Sequence, residues 1–120
     1  MTTESDATCE IMERFNNAFG MHRPQDLDDL IGEGCVLENT APAPDGARYE
    51  GRESCLKFWK GLASSANLIF KVEEIFAMGD RGILRWQLHW SEHEADRVRG
   101  VNIMRVRNGK IVEGMGYVKG

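Results

Sequence analysis

The chain has 120 residues, 42% hydrophobic and 28% charged, with 13 glycines and only 3 prolines. That is one folded domain over residues 1–120 and excludes a disordered or collagen-like chain. Fifteen basic residues against nineteen acidic ones give a net charge of −4, the reverse of a nucleic-acid binder's balance. No apolar run is long enough to span a bilayer, and the first residues lack the basic flank and apolar stretch of a secretion signal. These features point to a cytoplasmic protein with neither nucleic acid nor membrane as partner. Cys9, Cys35 and Cys55 are odd in number and lack CxxC spacing, which fits free thiols rather than a zinc site or a disulfide framework.

From Ser5 to Gly20, the residues Ile11, Phe15, Ala18 and Phe19 fall at i, i+4, i+7 and i+8, one face of a helix. Pro24 opens a short second helix with Leu27, Leu30 and Ile31 inward, ended by Gly32 and Gly34. Cys35 to Asn39 reads as a short strand. Thr40 to Gly46 holds two prolines and an Asp-Gly turn. A third helix follows Gly51, with Leu56, Trp59, Leu62 and Ala63 on one stripe. After Asn67 the period becomes two. Strands are expected over Leu68–Met78, Ile83–Ser91, Arg97–Arg107 and Lys110–Lys119, and Asn108-Gly109 is a strong hairpin signal. Helices first and a meander after them mean an α+β fold, with three helices of the N-terminal half covering an antiparallel sheet.

Alternation assigns the faces. Leu84, Trp86, Leu88 and Trp90 share one side of their strand, with Arg85, Gln87 and His89 on the other. Val98, Gly100, Asn102, Met104 and Val106 share the inward side of the next strand, opposite Arg97, Arg99, Arg105 and Arg107. Asn102 is a polar amide on an apolar face: either it makes a structural hydrogen bond or it is a donor aimed at a ligand. Phe15, Phe58 and Trp59 from the helices, with Trp86, Leu88, Trp90 and Met104, either fill the core or line a pocket for a small hydrophobic molecule. Tyr117 is a candidate donor at the pocket mouth. Glu38, sharing the parity of Val36, is expected to face the same pocket, where desolvation disfavours the charged form and suits a general base. The other reading is that Glu38 caps the Thr40–Gly46 loop. The arginine-bearing outer face, broken by Val101 and Ile103, suits a homodimer contact, with His89 on its surface. His22, His89 and His93 share no ligand spacing, so no metal is expected. No cofactor is expected either.

Three helices followed by VLENTAPAPDGARYEG, a helix, a strand ending Gly-Asp, a tryptophan-rich strand, RVRGVNIMRVRNGKI and a final GYVKG resemble the nuclear-transport-factor-2-like superfamily. Within it, the chain is most similar to the SnoaL-like proteins grouped around polyketide cyclases and steroid isomerases. The resemblance covers essentially the whole chain. It implies a conical barrel, a curved antiparallel sheet wrapped around a pocket and closed by helices. It also places Glu38 at or next to the isomerase base position and Asn102 at that of the late acid, with Glu13-Arg14-Phe15 where the tyrosine would be. Leu88, Trp90 and Gly116 replace the epoxide-hydrolase Arg and Asp residues. Glu113, the one acid on the final strand, is out of register for a cyclase. The function implied is a cofactor-independent isomerase, cyclase or dehydratase moving a proton on a hydrophobic ketone- or polyketide-like substrate. The alternative is a non-catalytic binder of a hydrophobic ligand, or a dimeric partner-binding module of the same fold.

Overall fold

The structure is a computed structural model that describes residues 3–120. Helix α1 (Glu4–Gly20) begins with a capping box: the Thr3 side chain accepts from the Asp6 N–H, and the Asp6 carboxylate accepts from the Thr3 N–H. It buries the expected stripe, with Thr8 and Met12 added. The expected second helix is one four-residue 3-10 turn, Pro24–Leu27. Leu30 and Ile31 are buried as predicted, but Ile31 already opens strand β1 (Ile31–Glu38). Gly32 is therefore not a helix stop. It lies where a Cβ would come 3.0 Å from the Val112 side chain on the neighbouring strand.

The remaining elements are β2 (Arg48–Glu50), α2 (Arg52–Ala63), β3 (Ile69–Met78), β4 (Arg81–His89), β5 (Arg97–Arg107) and β6 (Lys110–Val118). They form one six-stranded sheet ordered β2-β1-β6-β5-β4-β3. The sheet is not wholly antiparallel: β1 and β6 run parallel, because the meander β3–β6 returns alongside β1 in the same direction. It is strongly curved rather than closed, with β2 and β3 as its edges. Register shifts in the β3–β4, β5–β6 and β1–β6 pairs bend it. Both helices pack on the concave side. One end of that space is solid, filled by Met12, Leu27, Leu30, Ile31, Met104 and Ile111, each no more than 1% exposed. Met104 is thus core filling and no part of a pocket lining.

The convex face carries the charges, arranged in ion pairs. Glu73 accepts from Arg99 through both carboxylate oxygens (2.8 and 2.9 Å) and from Arg85 (3.1 Å). Arg81 pairs with Glu113 at 2.6 Å. Between these rows, in register across four strands, run Phe76, Ile83, Ile103 and Met115. His89 lies on this side as predicted, yet it is buried rather than superficial: its Nε2 sits 2.9 Å from Gln87 Oε1, which also accepts from Arg97.

The Arg99 guanidinium, together with Gln87, holds the Glu73 carboxyl down at about 2, from an ordinary 4.5. A native value below the unfolded one gives a contribution present in full above the unfolded value and lost as the pH falls through the native value. Urea midpoints measured between pH 6 and 2 should therefore drop on acidification across that window. Glu73→Gln should flatten the drop.

Candidate functional site

At the other end the concave side is hollow. A cavity of about 260 Å³ lies between α1, α2 and the sheet. Its wall is aromatic: Phe15 meets Phe19 and Trp59 with ring centroids 4.9 and 5.0 Å apart, and Phe19 meets Phe70 at 5.3 Å. Phe58 from α2, with Trp86 and Leu88 on the inward side that alternation gave them, completes the greasy lining. Phe58 is fixed from behind by Tyr49, stacked on it at 5.0 Å. The rings come this close to the sheet because glycines lie beneath them. A Cβ at Gly114 would sit 2.7 Å from the Trp59 ring, and one at Gly100 would sit 2.6 Å from that of Trp86.

Asn102 lies inside this cavity, and its Oδ1 accepts from the Trp86 indole Nε1–H at 3.1 Å. Among the described residues no hydrogen bond is made by its Nδ2. The structural reading of Asn102 thus holds for its oxygen, while its NH2 group has no protein partner among the described residues. A second amide, Asn16 on α1, lines the same space. Its position was visible in the sequence, since it lies four residues after Met12 and three before Phe19 on the buried stripe. Asn39 and Thr40 add polar groups where β1 runs into the loop.

Besides Met104, two expected site residues lie outside the cavity, and a third borders it with its carboxylate turned away. Trp90 follows the end of β4, its N–H bonded to the Asp96 carbonyl in the turn to β5, and is 46% exposed outside the cavity. Tyr117 pairs with Val101 on the convex face and is 55% exposed. The register shift between Val106–Ile111 and Arg105–Glu113 turns Gly114 and Gly116 inward, and Tyr117 therefore outward. Glu38 is the third. Leu37, opposite Gly114, is the inward residue of β1, whereas Glu38 lies opposite Met115 on the convex side. Its carboxylate meets Arg48 at 2.9 Å and is 35% exposed, so it is neither desolvated nor packed among Trp86 and Met104 as expected. Glu38 borders the cavity, with its carbonyl oxygen beside Gly116.

Other chemistries find little support in this arrangement. Burial pushes the Cys35 and Cys55 thiols up from their ordinary range, and the Cys55 thiol donates to the Cys35 and Tyr49 carbonyls, which leaves both protonated and unreactive. Among the described residues no three His, Cys, Asp or Glu side chains are grouped to hold a metal ion. No helix of the described residues is long and apolar enough to cross a membrane.

Residues 12–114 match the model of the SnoaL-like domain family, and the chain belongs to that family. A crystallographically determined NTF2-like protein of unknown function from Mesorhizobium loti is 49% identical over 100% of this chain and 97% of its own, with a TM-score of 0.91. The fold is also shared with a candidate ketosteroid isomerase from Kribbella flavida (15% identity, 98% and 82% covered, TM-score 0.81). An epoxide hydrolase of the LEH-like kind from M. tuberculosis shares it too (20% identity, 99% and 83% covered, TM-score 0.75). No protein with a curated description matches the chain.

Two glycine substitutions test the origin of the hollow. Gly114→Ala should push the Trp59 ring off the sheet and cost about 1–3 kcal/mol. Gly61→Ala, in the exposed interior of α2 with nothing within 4 Å of the new methyl, should instead stabilise by about 0.5–1 kcal/mol. Denaturant midpoints at unchanged m-value would read both.

Proposed function

We propose that this SnoaL-like domain binds a compact, largely apolar small molecule that presents an oxygen acceptor to Asn102. The observation that carries the reading is the Asn102 NH2 group, without a partner among the described residues, set in an aromatic cavity. Apolar walls with a few placed polar groups are how small-molecule sites obtain affinity and orientation. The volume, about 260 Å³, lies at the small end of the usual range of about 300–1,000 Å³, which favours one- or two-ring molecules. Binding is favoured over isomerase, cyclase or dehydratase chemistry by the side on which the acid stands. Among the described residues Glu38 is the one titratable residue bordering the cavity, and its carboxylate is ion-paired on the other face of β1. A general base must come within hydrogen-bond reach of the proton it removes. The three free cysteines suit the reducing cytoplasm.

We also propose that two copies pair through the convex face. The apolar row Phe76–Ile83–Ile103–Met115, with Phe76 47% exposed, supports this, because ion-pair rows on both sides would form a polar rim around it.

A ligand at one hundred times its Kd adds about 2.7 kcal/mol of stability, so a thermal-shift series with α-tetralone and related ring ketones should raise Tm by several degrees. Asn102→Leu should abolish most of that shift and Glu38→Gln should leave it intact. Turnover of a bound ketone that disappears in Glu38→Gln would overturn the reading in favour of a proton-transfer enzyme. For the assembly, Ile103→Glu should convert a dimer to a monomer in sedimentation equilibrium.

A further inference from the structure

The hydrogen bond from the Trp86 indole to Asn102 does more than satisfy two polar groups. An indole N–H donates and never accepts, so only the oxygen end of an amide can face it. That leaves the Asn102 amide one permitted orientation, with its NH2 group turned away from Trp86. Trp86 is itself held in place. Gly100 is its register partner on β5, and a Cβ there would lie 2.6 and 2.7 Å from the indole Cζ2 and Cη2 atoms, so the ring rests directly on the β5 backbone. Gly116, the register partner of Asn102 on β6, leaves the amide oxygen room, since a Cβ there would come 3.3 Å from Oδ1.

We propose that Trp86 is a positioning residue that fixes the polarity of the cavity. Through Asn102 it turns the NH2 donor, rather than the oxygen engaged by the indole, toward a ligand at this point of the wall. The site therefore selects ligands presenting a hydrogen-bond acceptor, such as a ketone, lactone or ether oxygen, and rejects those presenting only donors, such as an ammonium group. Without the indole N–H, the amide turns over freely and serves either kind of ligand. This rests on the ligand-binding reading above and adds the chemical sign of the ligand's polar group.

The test uses two probes of similar shape, α-tetralone as acceptor and 1-aminotetralin, as its ammonium ion, as donor. Wild type should bind the ketone and discriminate against the amine. Trp86→Phe, which keeps an aromatic wall but removes the donor, should tighten amine binding by about tenfold or more while ketone affinity stays within about threefold. A wall that only packed would shift both affinities alike, so an unchanged ratio in Trp86→Phe overturns the proposal. If neither probe binds wild type, the ligand-binding reading fails while the positioning remains readable from Trp86 Nε1–H exchange followed by NMR. Exchange that is slow in wild type and fast in Asn102→Leu supports the fixed pair; equal rates in the two overturn it.

Discussion

The whole site depends on how closely side chains can approach the concave face of the sheet. At four inward positions on β4, β5 and β6 that face carries glycine: Gly82 beneath Met12, Gly100 beneath Trp86, Gly114 beneath Trp59 and Gly116 beside Asn102. Bare backbone lets large rings lie against the strands instead of standing off them, so the volume they would otherwise occupy stays open. A glycine inside a strand weakens it, through lost side-chain packing and added backbone entropy. The sheet offsets that weakness with curvature and with rings laid over the gaps. Toward Met104, Val106 and Ile111 the same concave space is filled, and there the Met12 side chain occupies the place above Gly82.

The sheet also sorts charge. The polar side chains that line the cavity beside Glu38 are neutral amides and a hydroxyl: Asn16 from α1, Asn39 and Thr40 after β1, and Asn102 from β5. Arginines and glutamates of β3 to β6 face outward and neutralise one another across strand pairs. Such a division suits a site meant for uncharged molecules. A charge bordering an apolar hollow must be paired or solvated, and Glu38, the one acid bordering the cavity among the described residues, is paired with Arg48 and partly exposed. The amides provide direction at low desolvation cost, and Trp86 turns the vaguest of polar side chains, one with interchangeable ends, into a fixed donor.

Most of this was legible in the sequence because period and parity are direct consequences of geometry. The α1 stripe, the Asn108-Gly109 hairpin, the inward set of β4 and β5 and the isolated amide at 102 all followed from residues two or four apart. What could not be read is what parity counting loses at irregularities. The shift between Ile31 and Val36 in the β1–β6 pairing, and glycines at 32 and 34 that look like helix stops, hid the true start of β1 and with it the side on which Glu38 stands. The β5–β6 shift likewise reversed the side of Tyr117. Trp90 kept the parity of Trp86 and Leu88 but lay beyond the last ladder residue, where parity has no meaning. β2, only three residues long, carries too few positions for any period.

A one-residue difference on β1 decides whether an acid faces the cavity. Cys35 and Leu37 look inward, while Val36 and Glu38 look outward, and no rotamer carries a side chain through the sheet. Strand periodicity makes position 37 the place from which an acid would face the cavity and share it with Asn102. Leucine there is 1% exposed and contributes to the lining, which is the choice expected of a strand built to hold an apolar body. The SnoaL-like frame therefore supplies two seats on this strand, one residue apart. The outer seat holds an acid neutralised by arginine and the inner one a hydrocarbon, so the β1 contribution to the cavity wall is apolar.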